Sequence, residues 1–396
     1  MQLSDRVLSM NESATLKMAR MSNELKASGV DVINMSLGEP DFDTPDFIKN
    51  AAKVAIDENF TRYTPVPGIP DLKRAITVKL KRDNNLDYNL DQIVVSTGAK
   101  QTIANLILAT INPGDEVLLP APYWVSYKEI IQFAGGVVIE VPADITTDFK
   151  TTPEMLKKYI SPRTKMFLFS NPCNPSGTVY GQNELQGLVD LFATHPDILI
   201  VSDEIYELIC FQQDYTSLGN FPEVKNQLVL INGVSKGFCM TGWRIGYMAG
   251  PKDIAAACSK IQSQFTSGAN SIAQKAAVAA LNEDPNIIKN MRDTFKKRRD
   301  LIFSLLSKIE NLKVNKPQGA FYIFPDIGYF IDKKAGDVTI KDSAALCEYL
   351  LANFHIGVTP GQAFGSPNNI RLSYALDNES ITTAVERLKC GLESLM

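Results

Sequence analysis

Residues 227–244 read QLVLINGVSKGFCMTGWR, and within them Lys236 closely follows an apolar run that ends at Asn232. A lysine where a buried strand meets a turn is costly, because burying an ammonium group is unfavourable unless its pKa falls. A lowered pKa is what a Schiff-base lysine needs, since only the neutral amine attacks a carbonyl. This stretch alone is also consistent with a surface lysine after a strand, and the rest of the chain decides between the two.

Short apolar runs alternate with helix-length amphipathic stretches between about residues 93 and 250. Nearly continuous runs of Val, Ile and Leu are typical of strands that are buried on both faces of a mainly parallel sheet. The amphipathic stretches include Lys100–Ile111 and Gln182–Thr194, which we expect to be helices. The alternation predicts an α/β fold with a doubly wound sheet. The predicted strands are Ile93–Ser96, Glu116–Pro120, Val137–Val141, Lys165–Ser170, Ile198–Ser202, Leu228–Asn232 and Ile245–Ala249.

The C-terminal part of the chain has a different pattern, which is typical of a smaller α+β domain. The first 45 residues are too short to fold alone, so we expect them to pack against this part. The prediction is a large domain of residues 46–288 and a smaller unit of residues 1–45 and 289–396. The predicted elements of the smaller unit are the helix Asp284–Ile309, the strand Gly319–Phe324, the helix Asp342–Asn353, the strand Ile370–Tyr374 and the helix Glu379–Leu395.

The composition excludes several classes of function. A net charge of −4 gives no electrostatic case for nucleic acid, and no apolar run approaches the roughly 20 residues of a membrane span. Six cysteines without a Cys-x-x-Cys pair indicate reduced thiols in a cytoplasmic protein and no metal site. The first ten residues lack the apolar core of a signal peptide. With only two histidines, a Ser-His-Asp triad is not expected, and lysine, tyrosine and carboxylates remain as candidates.

Polar residues follow several predicted strands, and ligands of open α/β sheets bind at such carboxyl ends. Thr97–Lys100 opens a helix, either as a plain strand-helix turn or as a turn whose small residues let backbone amides approach a phosphate. Asn171–Gly177 contains two prolines that hold an asparagine rigidly, and a simple turn is the alternative. Asp203 ends an apolar run, where it is either a helix cap or the partner of a cation, and Tyr206 follows it. With Lys236 these groups describe a pyridoxal phosphate site.

The chain resembles the fold-type I pyridoxal phosphate enzymes of the class I aminotransferase family, and in particular the bacterial aspartate aminotransferase branch. The resemblance covers nearly the whole chain, and the ordered co-occurrence of short motifs makes it specific. The motifs are Leu37–Phe42 (LGEPDF), Tyr63–Gly68 (YTPVPG), Ala121–Trp124 (APYW), Asn174–Gly177 (NPSG), Ser202–Tyr206 (SDEIY), Ser235–Lys236 (SK), Thr241–Gly246 (TGWRIG) and Arg371–Tyr374 (RLSY).

The resemblance implies a role toward the cofactor for each matching residue. Lys236 would form the Schiff base and then move a proton between the substrate Cα and the cofactor C4′. Asp203 would keep the pyridine nitrogen protonated, while Tyr206 and Asn174 would hydrogen-bond O3′. Trp124 would stack on the ring, and the large domain would thus be the cofactor-binding one. The phosphate would be held by Gly98, Ala99, Ser235, Arg244 and, from the neighbouring subunit of a homodimer, Tyr63.

The resemblance also implies how the substrate is held. Arg371 would clamp the α-carboxylate through two parallel hydrogen bonds, with Asn174 and the Gly38 backbone alongside and Trp124 near. Lys100 matches the lysine that takes the distal carboxylate in the bacterial branch, and a solvated lysine in a first helical turn is the alternative. The segment Ser13–Thr15 would belong to a gate that closes over the substrate.

The chain departs from the family pattern at three points. Gly233 stands three residues before the lysine, where some members carry a phosphate-binding serine. Ala99 stands in the phosphate turn where others have a hydroxyl, so phosphate contacts would depend more on Arg244 and backbone amides. Ile261–Gln274 contains no arginine, although another branch uses one from the partner subunit for the distal carboxylate.

The resulting hypothesis is a ping-pong aminotransferase that moves the amino group of L-aspartate to 2-oxoglutarate. Prephenate, aromatic or kynurenine transamination, or a β-lyase reaction on the same fold, are the alternatives among enzymes. From other classes, the fold also serves as a sensing module of transcription regulators, which carry an added DNA-binding domain, and a lysine nucleophile can act without a cofactor. The partners expected are amino acids and 2-oxo acids, with no nucleic acid and no membrane.

Overall fold

A seven-stranded sheet forms the centre of the structure, a computed structural model that describes residues 3–212, 215–336 and 338–395. The strands of the chain are β1 (Ile33–Asn34), β2 (Ile93–Ser96), β3 (Glu116–Ala121), β4 (Val137–Pro142), β5 (Thr164–Ser170), β6 (Leu199–Asp203), β7 (Leu228–Gly233), β8 (Gly246–Ala249), β9 (Tyr322–Ile323), β10 (Lys334–Ala335), β11 (Val338–Thr339), β12 (Ile356–Gly357), β13 (Thr359–Pro360) and β14 (Ile370–Ser373). The helices are α1 (Asp5–Leu8), α2 (Ala14–Ala27), α3 (Asp46–Asp57), α4 (Pro70–Asn84), α5 (Ala99–Thr110), α6 (Ser126–Phe133), α7 (Pro153–Lys157), α8 (Gln182–Ala193), α9 (Lys252–Phe265), α10 (Ser271–Asn282), α11 (Lys289–Leu306), α12 (Ser343–Phe354) and α13 (Asn378–Glu393).

The central sheet has the strand order β2-β8-β7-β6-β5-β3-β4. Its neighbours are parallel except at β8, which runs antiparallel to both β2 and β7. The mainly parallel sheet of the sequence prediction is therefore confirmed, and each of its seven strands lies within one residue of the predicted bounds. The carboxyl ends of β5, β6 and β7 lie side by side, which places Ser170, Asp203 and the turn before Lys236 at one edge.

Helices cover both faces of this sheet, which explains why its strands read as unbroken apolar runs. Successive side chains of a strand point to opposite faces. Leu228 and Leu230 accordingly pack into one hydrophobic cluster with residues of α4 and α8. Val229 and Ile231 pack into a second cluster with residues of α5 and α9. All four side chains are at most 2% exposed, so neither face of β7 tolerates a polar residue before the strand ends.

The N-terminal segment and the C-terminal part of the chain meet through strand pairing. Strand β1 pairs in parallel with β12, with Ile33 opposite Ile356. Strands β13, β14 and β9 form a small antiparallel sheet that carries Arg371. The division into residues 46–288 against 1–45 with 289–396 stays a proposal, which the pairing of β1 with β12 supports. In the part of the chain that the structure describes, no helix is long and apolar enough to cross a membrane.

Two predicted elements of the C-terminal part are corrected by the structure. The long helix α11 begins at Lys289 and not at Asp284, because Asp284 caps a separate 3-10 turn that starts with Pro285. The strand predicted over Gly319–Phe324 shrinks to Tyr322 and Ile323. Its first residues bond elsewhere, since the amide of Gly319 donates to Gly177 O at 2.8 Å and the amide of Ala320 to Ile209 O at 2.9 Å.

Candidate active site

A cavity of about 410 Å³ lies at the carboxyl edge of the central sheet, between that sheet and β14. Most of the residues singled out in the sequence line it. Those that do are Ser13, Thr15, Gly38, Ala99, Lys100, Trp124, Asn174, Asp203, Tyr206, Ser235, Lys236, Arg244 and Arg371. The rest of the wall includes Leu37, Glu39 and Thr241 from the quoted motifs, and also Leu16, Tyr127, Ser170 and Tyr322.

Lys236 is half-buried in this cavity, in the turn that follows β7. Its Nζ donates a hydrogen bond of 2.5 Å to the carbonyl oxygen of Gly38. Among the described residues, no carboxylate lies within ion-pair distance of this Nζ. Burial lowers the pKa of Lys236 to about 8, against the partly opposing charge of Glu39. A neutral amine is therefore available near neutral pH, as the sequence prediction requires.

Asp203 ends β6 and is 4% exposed. Its Oδ2 accepts a hydrogen bond of 2.6 Å from the Tyr127 hydroxyl, and its Oδ1 accepts one of 3.2 Å from the Ile205 amide. Both donors are neutral, so burial raises the pKa of Asp203 to about 6. A buried carboxylate with neutral donors only is stabilised further by any cation that enters the cavity.

Gly98 and Arg244 form a concave corner at the N-terminus of α5. Gly98 caps the helix with φ of +82°, and a methyl group built on it would lie 2.8 Å from Arg244 Cζ. Arg244, itself at φ +58°, donates to Thr241 O at 2.8 Å. Ala99 and Ser235 open onto the same corner. Because free amides of a helix N-terminus and a guanidinium converge here, the corner suits a phosphate.

The glycine at position 233 has a steric cause. Gly233 lies opposite Gly246 in the sheet, and a methyl group on it would come within 2.8 Å of Ile245 O. A serine at position 233 therefore has no room in this chain, and phosphate contacts fall to the residues of the corner just described.

Arg371 is 2% exposed and projects from β14 into the cavity wall. One of its guanidinium nitrogens donates to Asn174 Oδ1 at 2.9 Å and another to Ser36 O at 2.7 Å. Within the described residues, its Nε has no hydrogen-bond partner. A buried guanidinium that faces a cavity with a spare donor and no carboxylate is suited to an anionic ligand.

Lys100 and Trp124 lie together on another wall. The Nζ of Lys100 is 5.0 Å from the centre of the Trp124 ring, and burial lowers the pKa of this lysine. In the part of the chain that the structure describes, Lys100 has no ion-pair partner. A second cation is thus available for a ligand that carries two negative groups.

Two of the predicted residues do not line the cavity. Gly98 lies behind the Arg244 guanidinium, and Tyr63 is fully exposed at the surface. The proposed reach of Tyr63 into a neighbouring subunit stays a prediction. Tyr127 and Tyr322 are two of the wall residues that sequence reasoning missed. Tyr127 had a local signal, because it lies three residues after Trp124 at the start of a helix, whereas Tyr322 had none.

Comparisons with known proteins show the family and the fold of the chain. A family model described as aminotransferase class I and II matches residues 30–388. The aspartate/prephenate aminotransferase of Cereibacter sphaeroides is 45% identical over 390 residues, which are 98% of each chain. The structure of the aspartate aminotransferase from Rhizobium meliloti matches with a TM-score of 0.96 at 38% identity, over 100% of both chains. That of the Thermus thermophilus aspartate aminotransferase with maleate matches with a TM-score of 0.92 at 38% identity, over 99% of this chain and 100% of that one.

Proposed function

The chain belongs to the aminotransferase class I and II family, which uses pyridoxal phosphate, and on this premise we propose that it transfers the amino group of L-aspartate to 2-oxoglutarate. When bound, the cofactor supplies a carbonyl that condenses with amines and a ring that accepts the electron pair released at the substrate Cα. The predicted family, cofactor and enzyme class are confirmed by the family match, and the predicted fold by the similar structures.

One observation carries the assignment of the cofactor site. Lys236 and Asp203 are both charged groups in one cavity, and neither has an oppositely charged hydrogen-bond partner among the described residues. An amine with a lowered pKa fits a carbonyl carbon, and a buried carboxylate fits a protonated ring nitrogen. The corner at Gly98 and Arg244 fits the phosphate. The residues present therefore suit the group that the family uses.

We assign the roles toward the cofactor residue by residue. Lys236 Nζ would bind the cofactor carbonyl carbon and would also serve as the base for the proton of the substrate Cα. Asp203 would hold the proton on the pyridine nitrogen, with Tyr127 orienting that carboxylate. Tyr206 and Asn174 would donate to O3′. Trp124 would lie against the ring, and Gly98, Ala99, Ser235 and Arg244 would hold the phosphate.

The substrate carboxylates divide between Arg371 and Lys100. Arg371 takes the α-carboxylate, with Asn174 and the Gly38 backbone beside it, because it lines the cavity and has no carboxylate partner among the described residues. Lys100 takes the distal carboxylate of aspartate or 2-oxoglutarate. The Thermus relative was solved with maleate, a dicarboxylate of similar length, which supports a site for two carboxylates.

Prephenate is the second candidate substrate. The relative from Cereibacter sphaeroides is named an aspartate/prephenate aminotransferase. Leu16 and Leu37 line the cavity and are 64% and 39% exposed, so apolar surface is available for a ring that also carries two carboxylates. Two specificity constants decide between the substrates. One is kcat/KM for prephenate, with aspartate or glutamate as donor, and the other is kcat/KM for 2-oxoglutarate, with aspartate as donor.

The active unit is proposed to be a homodimer in the cytoplasm. Full exposure of Tyr63 leaves its ring free to reach a neighbouring subunit, and all six cysteines are unpaired, as expected in a reducing compartment. Mixing Tyr63→Ala chains with Lys236→Ala chains should give activity above the sum of the two, because each hybrid has one site with both residues. No gain on mixing would contradict shared sites.

The absorption spectrum of the purified protein, before and after adding L-aspartate alone, tests the proposed function. We expect a cofactor band that L-aspartate converts to the band of the amine form of the cofactor. A band that does not change with aspartate but changes with another amino donor would show that the substrate assignment is wrong. The absence of any band after addition of pyridoxal phosphate would contradict the proposed cofactor site.

A further inference from the structure

Tyr322 is a buried tyrosine of the cavity wall to which the proposed function gives no role. It lies on β9 and is 0% exposed. Its hydroxyl oxygen is 2.9 Å from that of Tyr206, and this is a hydrogen bond in which geometry leaves either oxygen free to be the donor. The direction of this bond matters, because it determines where the Tyr206 hydrogen points.

Counting hydrogens favours one direction. Each phenol has a single hydrogen to donate, and within the described residues each of these two hydroxyls has only the other as a hydrogen-bond partner. Both tyrosines line the cavity, and Tyr206 keeps 4% exposure whereas Tyr322 keeps none. If Tyr206 donated to Tyr322, the hydrogen of the wholly buried phenol would need an acceptor that the described wall does not offer. With Tyr322 as donor, the Tyr206 hydrogen is free to serve a ligand.

The position of Arg371 also favours Tyr322 as the donor of this hydrogen bond. Its guanidinium carbon is 4.5 Å from the centre of the Tyr322 ring. Burial raises the pKa of both phenols, and the positive charge of Arg371 opposes that rise at both. Because the guanidinium lies against the Tyr322 ring, it polarises that phenol and makes its hydroxyl the better donor.

We propose that Tyr322 is a positioning residue that donates its hydrogen bond to Tyr206 and thereby directs the Tyr206 hydrogen to O3′ of the cofactor. This inference rests on the proposed function. A hydroxyl that accepts a hydrogen bond is itself a stronger donor, because chained bonds polarise one another. Tyr322 therefore strengthens the bond from Tyr206 to O3′ although it does not touch that oxygen.

The pH titration of the cofactor absorption band in Tyr322→Phe tests this proposal. Donation to O3′ stabilises the form that carries negative charge there, so weaker donation raises the titration midpoint. We expect the midpoint of Tyr322→Phe to rise by about 0.3–1 pH unit, the equivalent of one modest hydrogen bond. Tyr206→Phe should move it in the same direction and further, because it removes the donor itself.

Tyr374→Phe is the matched control. Tyr374 is wholly buried, and its hydroxyl donates to Ala320 O at 3.2 Å without facing the cavity. It should lower thermal stability much as Tyr322→Phe does, yet leave the midpoint unchanged. An unchanged or lowered midpoint in Tyr322→Phe, in protein with a normal cofactor band, would overturn the proposal. A missing band in the parent protein would instead contradict the proposed function.

Discussion

A buried lysine and a half-buried lysine lie on opposite sides of the segment 203–207, and their surroundings differ. Lys79, on α4, is 2% exposed and forms an ion pair with Glu207, and it also donates to Asn84 Oδ1 at 2.8 Å. Lys236, on the cavity side, has only the carbonyl oxygen of Gly38 as its hydrogen-bond acceptor among the described residues. One lysine is neutralised by the protein itself, whereas the other is left for a ligand.

Of the carboxylates of the same segment, Glu207 has a charged partner, whereas Asp203 and Glu204 have only neutral donors among the described residues. Glu207 accepts from Asn232 at 2.8 Å and from Asn84 at 3.0 Å in addition to its lysine. Glu204 accepts three hydrogen bonds, from Ser202, Ser217 and the Leu218 amide. Asp203, which faces the cavity, has a tyrosine and one backbone amide only.

This difference separates structural charges from functional ones. Buried charges persist in a stable fold when their partners are present, and Lys79 and Glu207 at the back of the segment meet that condition. The cavity side does not meet it, so the missing partners have to come from a ligand. Residues of this short turn alternate between its two sides. Asp203 and Tyr206 face the cavity, whereas Glu204 and Glu207 face the back. The contacts at the back therefore hold the cavity-facing side chains in position.

The largest expected effect comes from removing the unpaired lysine. Lys236→Ala should lower kcat by on the order of 10⁶-fold, as the loss of a covalent nucleophile does in other enzymes. Thermal stability of the cofactor-free protein should fall only by the equivalent of one hydrogen bond, about 0.5–1.5 kcal/mol, because the bond to Gly38 O is lost but no ion pair is broken. Steady-state kinetics measures kcat, and thermal unfolding measures the stability of the cofactor-free protein. Turnover within a hundredfold of the parent would contradict the assignment of the nucleophile.

Removing the paired lysine should have the opposite profile. Lys79→Met leaves Glu207 buried without its cation, which costs about 3–5 kcal/mol of folding free energy. At temperatures where the protein stays folded, the cofactor band should remain. The double variant Lys79→Met with Glu207→Leu should recover most of the loss, since no charge is left unpaired. Urea unfolding measures the folding free energy of the single and the double variant. A double variant as unstable as the single one would mean that the pair of Lys79 and Glu207 contributes more than charge compensation.

Replacing Lys100 tests the second unpaired cation of the cavity. Lys100→Ala should lower kcat/KM for L-aspartate by about 10- to 150-fold, the equivalent of one charge-assisted hydrogen bond. L-alanine, which lacks a distal carboxylate, serves as the matched substrate and should be nearly unaffected. Equal losses for both amino donors would show that Lys100 does not select the dicarboxylate.

The sheet was predictable because its strands obey a local rule. Residues such as Leu228–Ile231 are apolar without interruption since helices cover both faces. The first polar or small residues after such runs therefore mark strand ends, which is how Asp203 and Lys236 were found. Both lie at the expected edge of the sheet.

Contacts between distant parts of the chain had no such local signal. Arg371 donates to Ser36, which is 335 positions earlier, and to Asn174, which is 197 positions earlier. Tyr322 meets Tyr206 across 116 positions. The pairing of Lys79 with Glu207 was equally invisible, because a lysine in an amphipathic helix predicts a solvated side chain. Arg371 was predicted from the resemblance to a family. The contacts of Tyr322 with Tyr206 and of Lys79 with Glu207 were found only in the structure.

The smallest expected effect is a shift in the pH at which Lys236 reacts. Because its pKa is lowered to about 8, capture of pyridoxal phosphate by the cofactor-free enzyme should accelerate about tenfold per pH unit below pH 8 and level off above it. The sign follows from the neutral amine being the nucleophile. Glu39 raises this pKa by its charge, so Glu39→Gln should lower the midpoint. Stopped-flow absorbance measures the rate, and a midpoint near 10, that of an ordinary lysine, would mean that the cavity leaves Lys236 as well solvated as a surface residue.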